Sequence, residues 1–230
     1  TKGISDALAD QVPDKKQGSL VLDDYSKLEY LEPVNARNDL VIQRFLQAAE
    51  MLQESAGEIV PVEISIGGPL TIASFLREIE LLLRDCRRNG DKVQKLLRII
   101  VDSQKSCIDA FAQYGVGIAM ADPVANPALI GPKLYEKFVF PYTKELTDYA
   151  LERTGKKVSL HMCGATYSIW KYIEQYQLNE ISLDNIVDLD RAARELGKKV
   201  PIAGNVDPVQ SMLNGTKEEI FADVQKCIEL

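Results

Sequence analysis

The chain has 230 residues, 46% of them hydrophobic, and a formal net charge of -7 at pH 7. This length and apolar content are sufficient for a large buried core. The acidic balance argues against a nucleic-acid partner, because a phosphate backbone selects basic surfaces. The sequence contains no run of about 18 apolar residues and no apparent signal peptide, so we expect a protein that is neither membrane-embedded nor exported.

Cysteine usage points to a reducing compartment. The four cysteines are Cys86, Cys107, Cys163 and Cys227, and no two of them form a CxxC pair. All except Cys163 lie in stretches with a helical pattern. We therefore expect a reduced, cytoplasmic protein.

The first 58 residues predict connecting structure and one long helix. Residues 1–38 carry prolines, a glycine and mixed charge around a short helix. From Asp39 onward, apolar residues recur at helical spacing. Asn38 or Asp39 can cap this helix, and Gly57 ends it.

The rest of the chain alternates between strands and helices. Five short apolar runs predict strands at residues 59–66, 116–121, 157–161, 180–184 and 199–203. Helices are predicted at residues 70–88, 91–114, 132–153, 167–176, 188–196 and 216–227, the third of them bent at Pro141. This alternation is typical of parallel βαβ units, which build either an open doubly wound sheet or a (β/α)8 barrel.

The positions of the polar residues favour the barrel. Polar side chains follow the carboxyl ends of five successive strands, where a barrel gathers its active site. They are Glu63 with Ser65, Asp122, His161 with Cys163, Asp184 with Asn185, and Asn205 with Asp207. Neither GxGxxG nor a P-loop is present, so the usual nucleotide signatures of the open fold are missing.

A candidate metal pair lies at the end of the third predicted strand. His161 is the only histidine of the chain, and Cys163 follows it by two residues. Residues i and i+2 of an extended segment face the same side, so the imidazole and the thiol can converge on one point. Both are donors that zinc accepts. The alternative is a histidine and a small buried cysteine that are neighbours by chance.

Five ordered motifs carry a resemblance to a known family. They are Ile66-Gly67-Gly68-Pro69-Leu70-Thr71, Ala121-Asp122-Pro123 with Tyr135-Glu136-Lys137-Phe138 and Pro141-Tyr142, His161-Met162-Cys163-Gly164, Ile181-Ser182-Leu183-Asp184 and Gly204-Asn205-Val206-Asp207-Pro208. From residue 59 to 230 the sequence resembles the uroporphyrinogen decarboxylase superfamily. Within it, the His-x-Cys-Gly form is similar to the zinc-dependent corrinoid methyltransferases, the branch that includes methylcobamide:coenzyme M methyltransferase.

The resemblance implies a single TIM-barrel domain spanning residues 1–230, of which 59–230 supply five βα units, about strands three to seven. It implies zinc held by His161 and Cys163, with a third cysteine ligand on a final strand beyond Leu230. Cys227 comes too early and shares a helical pattern with apolar residues, so it is assigned to the core. As a fragment the chain should have no activity alone, and strands 59–66 and 199–203 should lie at open edges.

The implied reaction is methyl transfer from a methylated corrinoid, delivered by a partner protein, to a thiol substrate activated by zinc. His161, Cys163 and Asp184 would form the catalytic site. Asp184 would be a fourth ligand, an acceptor that orients His161, or a structural cap. The residues expected to bind substrate or hold loops are Asp122, Asn126, Asn205 and Asp207.

Three alternatives to this reaction remain open. A relative of this branch can act on the primary methyl donor, such as methanol, a methylamine or a methoxyaromatic compound. Uroporphyrinogen decarboxylation needs no metal, but its substrate has many carboxylates and calls for a basic pocket, which these strand ends do not offer. A protein without chemistry, for example a docking partner for a corrinoid protein, is the third alternative.

Overall fold

The computed structural model of the protein describes residues 21–230. A parallel sheet of five strands forms its centre, and the strands lie side by side in chain order. Successive strands of a (β/α)8 barrel follow one another in the same way, so the predicted fold class is confirmed. The strands are β1 (Glu63–Gly67), β2 (Gly117–Ala121), β3 (Val158–Met162), β4 (Leu178–Leu183) and β5 (Ile202–Ala203).

Helices fill the connections between the strands. They are α1 (Leu40–Ala56), α2 (Pro69–Leu76), α3 (Ile79–Arg88), α4 (Gly90–Ala112), α5 (Pro127–Ile130), α6 (Pro132–Phe138), α7 (Phe140–Thr154), α8 (Trp170–Ile173), α9 (Leu189–Glu195) and α10 (Lys217–Glu229). Short 3-10 turns occur at Ser26–Tyr30, Pro123–Ala125 and Tyr167–Ile169, and a π-helical turn at Pro208–Leu213. Within residues 21–230, no helix has both the length and the apolar character required to cross a bilayer.

The two faces of the sheet differ in composition, because side chains alternate between faces along each strand. One face is buried under the helices and carries Ile64, Ile118, Met120, Val158, Leu160, Met162, Ile181 and Leu183. The other face carries small or polar residues, namely Glu63, Ser65, Gly117, Ala119, Ala121, Ser159, His161, Glu180 and Ser182. Branched apolar side chains usually fill a barrel interior. The small and polar face therefore leaves room for a site.

Two predicted strands are shorter in the structure than in the sequence analysis. The amides of Ile59 and Val60 both donate to the carbonyl of Ala56, at 2.8 and 2.9 Å, and so close the end of α1 instead of joining the sheet. Likewise the amides of Lys199 and Val200 donate to the carbonyl of Leu196. The predicted starts of β1 and β5 were therefore wrong, because these residues, although typical of strands, bond to the ends of the preceding helices.

The predicted helix 70–88 is two helices. Extended backbone at Arg77 ends α2. The buried Arg77 guanidinium lies 2.6 Å from Asp85 Oδ2 and donates to the carbonyl of Leu22 at 2.9 Å. The contact of Arg77 with Leu22, 55 residues away in the chain, is not visible in a local pattern, so the apolar periodicity predicted one continuous helix.

The predicted bend of helix 132–153 is confirmed as a break. Val139 separates α6 from α7, and Pro141 lies in the first turn of α7, where its missing amide hydrogen costs no helical bond. Tyr135 is fully buried, and its hydroxyl lies 2.9 Å from that of Tyr176. The predicted helix 167–176 is confined to a 3-10 turn and the four residues of α8.

Candidate metal and substrate site

His161 and Cys163 converge at the carboxyl end of β3, as their spacing predicted. The Sγ atom of Cys163 lies 3.4 Å from Nε2 of His161, and both residues are half-buried. Zinc bonds of about 2.3 Å to sulfur and about 2.05 Å to nitrogen place two tetrahedral ligand atoms roughly 3.6 Å apart. The two donor atoms are therefore already spaced as a zinc ion requires.

Ser182 on β4 holds the other nitrogen of the imidazole. Its Oγ lies 3.0 Å from Nδ1 of His161, and the two residues are paired in the sheet register. Sequence reasoning missed Ser182. The available signal was its spacing, because Ser182 precedes Asp184 by two residues and so shares its side of β4.

Asp184 fixes the loop that follows Cys163. Its Oδ2 accepts a hydrogen bond from the amide of Gly164 at 2.7 Å, and its Oδ1 accepts one from the amide of Ile186 at 3.2 Å. Burial raises the pKa of the Cys163 thiol, and the charge of Asp184 raises it further. In this structure Ser182 bonds to the imidazole. Of the three roles left open for Asp184, its two bonds to backbone amides match the structural cap.

Asn126 lies against the same loop from the side of β2. Its Oδ1 accepts from the amide of Ala128 at 2.9 Å and caps α5. Gly164 has φ +81°, and a Cβ added to it would lie 2.2 Å from Asn126 Nδ2. The close approach of these residues brings the loops after β2 and β3 together beside Cys163.

Asp122 is buried and faces the protein interior. Only 1% of the residue is exposed, and its Oδ1 accepts from the amide and the hydroxyl of Thr71. Burial raises the pKa of Asp122 to about 6, against the lowering effect of the bonds from Thr71. Of the two expected roles, substrate binding and loop holding, this geometry matches loop holding.

Asn205 and Asp207 also hold loops. Asn205 Nδ2 donates to the carbonyls of Asp184 and Val187, at 2.9 and 2.7 Å. Asp207 Oδ1 accepts from the first amides of the π-helical turn, and these bonds, with one from Asn185, lower the pKa of Asp207. Asp207 and Asn205 border a cavity of about 400 Å³. Contact with a substrate at this cavity stays a prediction.

The pair does not complete a metal site within the described residues. Between residues 21 and 230, no group of three or more His, Cys, Asp or Glu side chains is arranged to hold a metal ion. Cys227 lies in α10, as its helical pattern predicted, but it is only half-buried and α10 has no buried residue, so its assignment to the core was wrong. His161 and Cys163 thus fit zinc as two of its ligands, and the remaining positions would need water, substrate or a residue from elsewhere.

Comparison with known proteins identifies a family that the sequence of this chain matches. The model of the uroporphyrinogen decarboxylase (URO-D) family matches residues 8–230. Methylcobamide:CoM methyltransferase MtbA of Methanosarcina mazei is 30% identical over 94% of this chain and 63% of its own length. A methylated-thiol–coenzyme M methyltransferase of the same organism is 27% identical over 80% of this chain and 49% of its own length.

A solved structure supports the fold. A methyltransferase from Methanosarcina mazei aligns with a TM-score of 0.74 and 21% identity, covering 86% of this chain and 61% of that one. The chain therefore spans less than two thirds of the length of each of these relatives.

Proposed function

The chain belongs to the uroporphyrinogen decarboxylase family, and we propose that within this family it serves corrinoid-dependent methyl transfer with zinc as its metal. The methyl group would pass from a methylated corrinoid, carried by a partner protein, to the sulfur of a small thiol. The relatives named as methylcobamide:CoM and methylated-thiol–coenzyme M methyltransferases support this proposal. Free cysteines throughout residues 21–230 are consistent with a reducing, cytoplasmic location, which is part of the proposal.

One observation carries the proposal, namely the 3.4 Å approach of Cys163 Sγ to His161 Nε2 at a strand end. Bound zinc lowers the pKa of a thiol, so that the sulfur is a nucleophilic thiolate at neutral pH. His161 and Cys163 would hold the ion. The nearby charge of Asp184 raises the pKa of the Cys163 thiol, an effect that a bound zinc ion would oppose. Ala121, which is paired with His161 in the sheet, has a small side chain and leaves space beside the imidazole for a thiol substrate.

The surrounding loops would shape the approach of the two substrates. Asn126 and Gly164 on one side and Asp184 on the other rigidify the backbone that carries Cys163. A corrinoid protein would dock over the carboxyl ends of the strands, since a barrel presents its reactive groups there. In the alternative reaction, the same pair would instead activate a methyl donor such as methanol, a methylamine or a methoxyaromatic compound.

Decarboxylation of a polycarboxylate is the rival within the family. Carboxylates follow β2, β4 and β5 here, namely Asp122, Asp184 and Asp207, and their charges would repel the carboxylate groups of such a substrate. This composition favours methyl transfer.

Zinc analysis tests the proposal. We expect the purified chain to bind zinc only weakly, because its described residues supply two ligands, and His161→Ala and Cys163→Ser each to weaken that binding at least tenfold in competition with a chelating dye of low affinity. Cys107→Ser is the matched control, because Cys107 lies in α4, outside the site. Equal zinc binding by the wild type and both site variants would refute the metal assignment. Demethylation of a methylated corrinoid by a thiol, lost in the same variants, tests the reaction in the longer protein.

A further inference from the structure

The sheet places one hydroxyl beside the imidazole of His161. In the register across the sheet, His161 lies between Ala121 on β2 and Ser182 on β4, and Ser182 is followed by Ala203 on β5. Alanine side chains cannot hydrogen-bond, so Ser182 is the residue of this row that can hold the ring. Its Oγ lies 3.0 Å from Nδ1.

A serine hydroxyl can bond to Nδ1 in two ways. It can accept a hydrogen from Nδ1, which leaves the lone pair on Nε2, or it can donate to Nδ1, which puts the hydrogen on Nε2. Nε2 is the atom that faces Cys163 Sγ. Only the first arrangement gives Cys163 and a metal ion a neutral imidazole with a free lone pair between them.

We propose that Ser182 is a positioning residue that accepts a hydrogen bond from Nδ1 of His161 and so directs the Nε2 lone pair toward Cys163. The direction of this hydrogen bond, from Nδ1 to the serine oxygen, rests on the proposed function. The contact between Ser182 and His161 is independent of that function. Half-burial of both residues protects the bond from competition with water. Partners of this kind typically change metal affinity by about 10–100-fold when they are removed.

The single histidine makes the tautomer directly measurable. With ¹⁵N-labelled histidine, the imidazole signals of the chain come from His161 alone. At about pH 8.5, roughly two units above the ordinary imidazole pKa, proton–nitrogen correlation spectra distinguish hydrogen on Nδ1 from hydrogen on Nε2. We expect Nδ1 to carry the hydrogen in the metal-free wild type.

Three variants then separate positioning from general structure. Ser182→Ala should remove the preference for Nδ1 and lower zinc affinity about tenfold. Ser182→Thr should preserve the tautomer, because it keeps the hydroxyl. Ser159→Ala is the matched control, since Ser159 lies on the same face of β3 but donates to Glu63 Oε1 at 2.9 Å. Amide spectra of each variant report whether the fold is kept.

The outcomes distinguish this proposal from the metal assignment. Hydrogen on Nε2 in the wild type, or an unchanged tautomer in Ser182→Ala with a native amide spectrum, would overturn the role of Ser182, whatever the zinc result. The expected tautomers, together with equal zinc binding by the wild type, His161→Ala and Cys163→Ser, would overturn the metal assignment and still support the positioning of the ring by Ser182.

Discussion

Asp122, at the end of β2, accepts hydrogen bonds from Thr71, a residue of α2 that lies 51 positions earlier in the chain: from its amide at 2.9 Å and from its Oγ1 at 2.6 Å. Thr71 is the third residue of α2, whose preceding residue Gly68 makes no side-chain cap. The carboxylate therefore satisfies a helix-terminal amide from a neighbouring strand. It joins the loop after β1 to the loop after β2.

Removing this cap should destabilise the protein. Asp122→Ala leaves the buried amide and hydroxyl of Thr71 without their acceptor, and we expect the free energy of unfolding to fall by about 2–3 kcal/mol. Urea unfolding followed by circular dichroism measures the change. Asp207→Ala is the control, because Asp207 caps a more exposed turn and should cost about 1 kcal/mol. Equal losses in both variants would contradict the tertiary cap.

Asp122 should also give stability an unusual pH dependence. Its pKa is raised from 3.8 to about 6 by burial, so between these values the folded state binds more protons than the unfolded state. The contribution of Asp122 to the free energy of unfolding is therefore greatest below about pH 4. It is lost as the pH rises through about 6, a change of roughly 3 kcal/mol.

Asp122→Asn isolates this effect, because the amide does not ionise. We expect the stability of the wild type relative to Asp122→Asn to fall as the pH rises from 4 to 7, in urea titrations at several pH values. A difference that is constant over this range, or that grows in favour of the wild type, would contradict a raised pKa.

Local sequence patterns predicted the elements in which apolar residues recur at regular spacing or form an uninterrupted run. The α1 helix was predicted because Asp39 caps it and apolar residues recur at helical spacing, and β3 because its apolar run ends at a glycine. The split between α2 and α3 was not predictable, since it depends on a side chain that reaches Leu22 and Asp85. Local periodicity contains no information about such distant partners.

The break between α2 and α3 provides another prediction. Arg77 and Asp85 form a buried ion pair, with side chains 7% and 2% exposed. Removing one member leaves a buried charge, so Arg77→Leu should reduce the free energy of unfolding by about 3–5 kcal/mol. The double variant Arg77→Leu, Asp85→Leu should lose less than Arg77→Leu alone. Urea unfolding measures both, and a larger loss in the double variant would show that the pair is not what stabilises the break.

The two candidate metal ligands could be predicted from the sequence, but the residues that hold them in place could not. The spacing of His161 and Cys163 indicated their convergence, because a strand places i and i+2 on one side. The roles of Ser182 and Asp184 depend on the register of β4 against β3, which decides which side chain meets the imidazole. A sequence does not reveal a register, so the role of Asp184 was left open among three possibilities, and Ser182 was not considered as a partner of the imidazole.

Gly164 connects the stability of the loop to the placement of Cys163. Its φ of +81° disfavours any residue with a Cβ, and the added atom would also lie 2.2 Å from Asn126 Nδ2. We expect Gly164→Ala to lower the free energy of unfolding by about 3 kcal/mol, combining backbone strain and overpacking.

Gly155→Ala separates these two costs. Gly155 has φ +70° with no atom within 4 Å of an added Cβ, so this variant carries the backbone strain alone, about 1 kcal/mol. The difference between the two variants measures the contact with Asn126. In an Asn126→Ala background that difference should shrink, because the side chain that meets the new Cβ is gone. Urea unfolding of Gly164→Ala, Asn126→Ala and the double variant completes the cycle, and strictly additive losses would show that Asn126 does not restrict the loop beside Cys163.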